Sequence, residues 1–161
     1  NDNASGTAML LTMAKHFKEN PPEANIMFIA FAGEEAGLLG SKYYTENPWF
    51  KLNRIKFLVN LDIMGSGEEG ITVVNATLFE KEFKKLEQIN EEQKLLAKVK
   101  RRGEAANSDH YWFTQSGVPA FFIYTMGPNK NYHDVFDTYD NLSFNEYQDI
   151  TTLLIEFVNK L

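Results

Sequence analysis

The 161-residue sequence places side chains that can bind a metal ion where predicted strands end or a predicted helix begins. Glu34 and Glu35 follow one apolar run, Asp62 follows a second, and His133 lies in the polar loop after a third. Asp2 directly precedes the first predicted helix. Because ligands bind at the carboxyl ends of the strands in open α/β sheets, we expect these side chains to lie close together. Oxygen and imidazole ligands without sulfur fit catalytic zinc, or another divalent metal of intermediate hardness.

The adjacent pair Glu34 and Glu35 has two interpretations. Taken alone, such a pair is more often solvated surface, and a glutamate in the first turn of a helix is stabilised by the helix dipole in any case. At the end of a buried strand, however, a carboxylate needs a partner, and metal coordination is one of the few adequate ones. Neighbouring side chains diverge in a turn, so one glutamate can bind a metal while the other acts as a base.

Apolar periodicity predicts the elements that would position these residues. The run from 26 to 32 is uninterrupted and ends at Gly33, which is typical of a parallel strand buried on both faces. Further strands are predicted at 54–61, 71–74 and 118–124, and 99–103 is either a short strand or the exit of a helix. Helices are predicted at 4–20, 36–46, 78–98, 111–115 and 143–160, the last with a capping box of Ser143 and Glu146. This alternation indicates a single α/β domain with a mainly parallel sheet.

Composition excludes several classes of protein. The net charge of −6 argues against a nucleic-acid surface. No apolar run approaches the roughly 18 residues of a membrane span. The sequence contains no cysteine, which excludes disulfides, a thiolate zinc site and a cysteine nucleophile.

Several short motifs, taken together and in order, resemble one family. The sequence is similar to the co-catalytic di-zinc aminopeptidases of the secreted bacterial leucyl type, which are related to glutaminyl cyclase. The matching stretches are Asn-Asp-Asn-Ala-Ser-Gly at 1–6, Phe-Ala-Gly-Glu-Glu-Ala-Gly-Leu-Leu-Gly-Ser at 31–41, Asn-Leu-Asp-Ile-Met-Gly at 60–65, Ser-Asp-His at 108–110, Gly-Val-Pro at 117–119, Tyr-His-Asp at 132–134 and Asp-Thr at 137–138. The resemblance implies a three-layer sandwich with a mainly parallel or mixed sheet, of the zinc-exopeptidase, phosphorylase/hydrolase-like type.

The resemblance also implies a ligand set for two zinc ions. Asp2 would bridge the two metals, Glu35 and His133 would complete one site, and Asp62 would belong to the other. The family has a further histidine ligand in a His-x-Asp motif upstream of the position of Asp2, and these 161 residues do not contain that motif. We therefore expect a single metallopeptidase domain over 1–161 that lacks the upstream part of the family fold. We expect it to have one complete ligand set and weak or no activity by itself.

Two residues receive catalytic roles from the resemblance. Glu34 would be the general base, and Tyr132 would help to hold the developing oxyanion. The family also implies a cis peptide bond between Asp2 and Asn3. His16, between lysines on a predicted helix, is expected to be ordinary surface. His110 is expected to line the pocket at most, or to start a helix.

The function implied is a zinc-dependent aminopeptidase that acts on peptides with a free N-terminus, in a secreted or periplasmic location. Two alternatives stay open at this stage. One is an aminoacyltransferase of the glutaminyl cyclase type, and the other is a non-catalytic, receptor-like binding domain. The plain Gly-Glu-Glu-Ala-Gly-Leu-Leu-Gly-Ser stretch favours the peptidase over the cyclase. The receptor-like domain is disfavoured because the sequence retains Asp2, Glu34, Glu35, Asp62 and His133.

Overall fold

A mixed four-stranded sheet forms the centre of the computed structural model, which describes residues 1–161. The strands are β1 (Leu58–Leu61), β2 (Gly70–Val74), β3 (Val99–Arg101) and β4 (Ala120–Met126), in the order β1-β4-β2-β3. β1 is parallel to β4 and β2 is parallel to β3, whereas β2 and β4 are antiparallel. Of the two alternatives for 99–103, the strand is observed, at Val99–Arg101. β1 lies at one edge of the sheet.

Helices cover both faces of this sheet. They are α1 (Ala4–Glu19), α2 (Leu39–Glu46), α3 (Glu80–Gln93), α4 (His110–Gln115) and α5 (Tyr147–Asn159), with 3-10 turns at Leu52–Arg54 and Tyr139–Asn141. The predicted first helix is confirmed, and it buries Met9, Met13 and Phe17 along one side. None of these helices is both long and apolar enough to cross a membrane.

Two apolar cores, one on each face of the sheet, make the fold a three-layer sandwich. The larger core contains 19 buried residues and joins α1, α3 and α5 to one face, where Leu61 and Phe121 contribute from the strands. The smaller core lies on the opposite face and consists of Tyr44, Phe113 and Val118. Successive strand residues point to opposite faces, so the apolar runs of β1 and β4 can supply both cores. This confirms the predicted three-layer α/β architecture.

The prediction of a buried strand at 26–32 is wrong. These residues form no ladder with any strand, and β1, on the adjoining edge of the sheet, pairs only with β4. Met27 and Phe28 are 39% and 36% exposed. The apolar run has the composition of a central strand, but a strand also needs at least one hydrogen-bonding neighbour, and residues 26–32 pair with none of the four strands.

Left-handed residues move two helix boundaries from their predicted places. α2 begins at Leu39 rather than at 36, because Gly37 and Leu38 have φ of 105° and 58°. α3 ends at Gln93 rather than at 98, because Lys94 adopts the left-handed conformation at the C-cap. Such conformations interrupt the right-handed helix.

The predicted capping box of the last helix is also wrong. Glu146 itself is the N-cap residue of α5, in the left-handed conformation, and no side chain caps the helix. Ser143 Oγ instead accepts a hydrogen bond from the Asn145 amide at 3.3 Å. The segment before α5 is thus a turn, and the N-cap lies three residues later than predicted, at Glu146 instead of Ser143.

Candidate metal and catalytic site

Hydrogen bonds from the first turn of α1 hold Asp2 at the end of β1. The Asn3 side chain caps α1 by accepting from the Gly6 amide at 3.0 Å, and its Nδ2 donates to the Leu61 carbonyl at 2.9 Å. A Cβ at Gly6 would collide with that same carbonyl, so glycine permits the close approach of helix and strand. The Asp2–Asn3 peptide bond is cis, as the resemblance implied.

A sharp turn points the side chains of Glu34 and Glu35 in different directions. Gly33 has a φ of 69°, and the amides of Gly37 and Leu38 both donate to the Glu34 carbonyl, at 3.0 and 2.8 Å. The side chain of Glu34 is half-buried, whereas that of Glu35 is 64% exposed and reaches the His133 ring. The expectation that neighbouring carboxylates diverge in this turn agrees with the geometry.

The loop after β4 brings His133 to the same place. His133 has a φ of 62°, and its ring lies against that of Tyr132, with 4.9 Å between the centroids. Asp137 of the same loop accepts a hydrogen bond from the Asp2 amide at 2.9 Å, which ties the loop to the start of the chain. Asp137 belongs to one of the matching motifs but had no predicted role.

Asp2, Glu35 and His133 form a cluster in which one potential ligand atom of each lies within 4.8 Å of the others. His133 Nε2 is 2.9 Å from Glu35 Oε1 and 3.1 Å from Asp2 Oδ2. Atoms that share one zinc ion lie about this far apart, because zinc bonds to nitrogen and oxygen are about 2.0–2.2 Å long. Carboxylate oxygens and imidazole nitrogens are both zinc donors, and catalytic zinc sites have three protein ligands, so these residues fit a zinc ion.

Charges within this cluster shift its pKa values. The hydrogen bond to Glu35, together with the charge of that carboxylate, raises the pKa of His133. Burial and the negative charge of Glu35 raise the pKa of Asp2. A divalent cation would offset the repulsion between these carboxylates and would displace the proton from the imidazole, since metal ligands must be deprotonated.

Asp62 lies beside this cluster but is not part of it. It is buried, with 7% of its surface exposed, and accepts a hydrogen bond from Ser108 Oγ at 3.2 Å through Oδ2. Its Oδ1 has no hydrogen-bond partner. Burial and the nearby charge of Asp2 raise the pKa of Asp62 to about 6. A buried carboxylate oxygen without a donor is costly, and a cation would satisfy it.

Glu34 is the carboxyl group best suited to proton transfer at neutral pH. Burial and the charges of Asp62, Glu35 and Asp109 raise its pKa to about 7. A base works best when its pKa lies near the working pH, because it can then both accept and release a proton. Asp109 is buried, 9% exposed, and was not predicted as a site residue. Its place in the Ser-Asp-His motif is the one signal that would have indicated it.

The remaining candidates lie apart from the three-ligand cluster. Tyr132 is 51% exposed, next to His133 in the loop. His110 begins α4 and is fully buried, with its ring 5.3 Å from that of Phe122 and both ring nitrogens without partners. His16 lies in α1 and hydrogen-bonds through its backbone carbonyl to Asn20. Neither His16 nor His110 belongs to the cluster.

The buried imidazole of His110 is expected to make the protein less stable in acid. Burial lowers the pKa of His110 from 6.5 to about 4. Between these pH values the unfolded chain binds the proton and the folded chain does not, so stability falls as pH decreases from about 6.5 towards 4. At 1.36 kcal/mol per pKa unit, the loss is about 3 kcal/mol at most.

Urea unfolding of the wild type and of His110→Phe between pH 7.5 and 4 measures this loss. The phenylalanine variant keeps a flat ring against Phe122 but cannot titrate, so its stability should fall less over the same interval. His16→Gln, which removes a histidine outside the buried core, should behave like the wild type. If the free energy of unfolding falls equally with pH in the wild type and in His110→Phe, then His110 is not the cause of the loss of stability in acid.

Comparisons with known proteins agree with this arrangement. Residues 1–158 match the model of peptidase family M28. Aminopeptidase YwaD of Bacillus subtilis (strain 168) is 46% identical over 70 residues, covering 43% of this chain and 15% of that protein. Aminopeptidase Y of Saccharomyces cerevisiae is 30% identical over 181 aligned positions, covering 98% of this chain and 32% of that protein.

A solved structure shows the same fold over nearly the whole chain. BSAP, a zinc aminopeptidase from Bacillus subtilis, superimposes with a TM-score of 0.86 at 26% sequence identity, covering 99% of this chain and 41% of that one. The chain thus spans less than half the length of each of these proteins. The family model matches nearly all of the 161 residues, including every motif of the cluster, and on this basis the chain belongs to peptidase family M28.

Proposed function

We propose that this chain carries the zinc-binding and catalytic residues of an aminopeptidase that removes N-terminal residues from peptides. The observation that carries the proposal is the cluster of Asp2, Glu35 and His133 beside a half-buried Glu34 whose pKa is raised to about 7. Three protein ligands with an open fourth position are the pattern of catalytic zinc. Such a site, with a proton acceptor next to it, suits hydrolysis.

The residues of the site divide into metal ligands and a proton acceptor. Asp2, Glu35 and His133 would hold a zinc ion, and Asp62 together with Asp2 would hold a second. A bound zinc ion polarises the scissile carbonyl and lowers the pKa of water towards about 7. Glu34 accepts the proton of the attacking water and later gives it to the leaving amine.

Two further groups act on the substrate. Tyr132, exposed beside His133, donates a hydrogen bond to the oxyanion that develops on the former carbonyl oxygen. The carboxylates at the end of the site bind the free α-amine of the peptide, which restricts cleavage to the first residue.

Substrate turnover tests the proposal against its alternatives. Because residues 1–161 span less than half the length of the relatives, the test uses a polypeptide of the relatives' full length that contains them. With zinc added, it should release the N-terminal residue from aminoacyl-4-nitroanilides and dipeptides, and a chelator should abolish the release. A protein that cyclises N-terminal glutamine instead would belong to the glutaminyl cyclase type. One that binds peptides without turnover, even with zinc saturating, would be a receptor-like domain, and either result would overturn the proposed function.

A further inference from the structure

A row of four side chains crosses the sheet from the metal cluster to the opposite edge. Asp62 directly follows the last paired residue of β1 and lies beside Tyr124 of β4. Tyr124 pairs with Thr72 of β2, and Thr72 pairs with Lys100 of β3. Neighbouring strands lie about 4.8 Å apart, so these three steps extend over about 14 Å.

All four side chains of the row lie on the face of the sheet opposite the larger core. Each has a sequence neighbour that belongs to that core or packs against it, namely Leu61, Ile123, Val73 and Val99. Successive side chains of a strand point to opposite faces. The row therefore lies on the face of the smaller core.

Arg102 adds a second cation to this row. Its backbone amide continues the ladder by donating to the Val73 carbonyl at 3.0 Å. Its Nη1 donates to the Tyr124 hydroxyl at 3.0 Å, and its Cζ lies 5.9 Å from the centroid of the same ring. The Tyr124 ring lies against that of Phe122, with 5.3 Å between the centroids. The guanidinium is thus held over the residue next to Asp62.

The cations of the row have no acidic partner. Arg101, on the other face, pairs with Glu80 at 3.3 Å, whereas Lys100 and Arg102 are exposed and form no ion pair. Arg102 bonds through its side chain to the Tyr124 hydroxyl alone, so most of its N–H donors are free. A guanidinium with free donors binds a carboxylate through two parallel hydrogen bonds, which lysine does not offer.

The proposed function places the first residue of a peptide beside this row. Its α-amine would lie at the carboxylates of the site, and Asp62 is the carboxylate from which the row begins. The side chain of that first residue would then extend over Tyr124. An extended glutamate side chain spans about one strand spacing of 4.8 Å, which is the step from Asp62 to the guanidinium over Tyr124.

We propose that Arg102, with Lys100 beside it, binds the side-chain carboxylate of the substrate's first residue, so that peptides beginning with glutamate or aspartate are preferred. This inference rests on the proposed function and adds a class of substrate to it. The same two cations repel an N-terminal lysine or arginine, so peptides that begin with these residues should be the poorest substrates.

Glutamyl- and methionyl-4-nitroanilide compare a charged with a neutral side chain of similar length. In the same full-length polypeptide with zinc, kcat/KM should be at least about tenfold higher for the glutamyl substrate, because hydrogen bonds to charged groups are among the strong ones. Arg102→Gln should lower this ratio by at least about tenfold. Arg102→Glu should reverse the preference, so that lysyl-4-nitroanilide is cleaved faster than the glutamyl substrate.

Arg101→Gln is the matched control. The Arg101 guanidinium lies on the other face of the sheet, 5.0 Å from the Phe83 ring centroid, so this variant should keep the ratio of the wild type. A defect of folding would lower turnover of the acidic, neutral and basic substrates alike. The reversal in Arg102→Glu therefore separates a role in specificity from a structural one.

Binding of free L-glutamate and L-methionine to the zinc-loaded protein, measured by titration calorimetry, tests the inference without turnover. Glutamate should bind at least about tenfold more tightly, and Arg102→Gln should remove the difference.

Three results would overturn the inference: glutamate bound no better than methionine, a methionyl substrate cleaved as fast as the glutamyl one, or a ratio that Arg102→Gln leaves unchanged. Each of them leaves the proposed function in place. The absence of turnover with every substrate would refute the proposed function instead, and the difference in amino-acid binding would still decide the role of Arg102.

Discussion

Glu34→Gln is expected to lower kcat by about 10²–10⁴-fold while zinc binding survives. The amide keeps the shape of the side chain but cannot accept a proton. Glu34 is the carboxyl group whose pKa burial and its carboxylate neighbours raise to about 7, the value that suits a base at neutral pH. Its side chain lies outside the three-ligand cluster, so the zinc content should not change.

Measurement of kcat and zinc content on the same preparation checks this prediction, in the longest form of the protein that shows activity. Glu23→Gln, at an exposed position outside the site motifs, serves as the matched control and should retain full activity. If Glu34→Gln loses zinc together with activity, then the roles of Glu34 and Glu35 have been assigned in the wrong order.

His133→Ala and Glu35→Ala are each expected to weaken zinc binding by more than about 100-fold. Changes to groups that merely support a ligand typically cost 10–100-fold in metal affinity, and removal of a ligand should cost more. His133 Nε2 is the atom that lies within 3.1 Å of carboxylate oxygens from both Asp2 and Glu35, so its loss leaves two acidic ligands without an imidazole.

Isothermal titration with zinc gives these affinities directly. The controls are His16→Ala and His110→Ala, which remove the other two imidazoles of the chain and should leave the affinity unchanged. An unchanged affinity in His133→Ala would exclude His133 as a ligand and would leave the loop between β4 and α5 without a metal ligand.

Local sequence signals predicted most of the fold and the cluster itself. The periodicity of α1 and the apolar runs of β1, β2 and β4 are each strong within one element, and a parallel pair such as β1 and β4 brings its carboxyl ends to one edge of the sheet. That rule places His133, in the loop after β4, near Asp62 at the end of β1, whereas the grouping of Asp2, Glu35 and His133 followed from the resemblance. The elements and the ligand cluster could both be predicted without knowing which residues distant in sequence contact each other.

Features that depend on distant partners were not predictable in the same way. Residues 26–32 have the composition of a buried strand, but pairing depends on a neighbour that lies elsewhere in space. The burial of His110 and the contribution of Asp109 to the pKa of Glu34 depend on how α4 packs against the sheet. The left-handed Leu38 and Lys94, which shift helix boundaries, are residues that rarely adopt that conformation, so composition did not indicate them.

Anomalous diffraction at the zinc absorption edge, from crystals of the protein grown with zinc, tests the central claim most directly. The account predicts a zinc peak within bonding distance, about 2.0–2.2 Å, of His133 Nε2 and of one carboxylate oxygen each from Asp2 and Glu35. A zinc ion bound instead at His16 or His110, or the absence of a peak at the cluster when zinc is saturating, would contradict it.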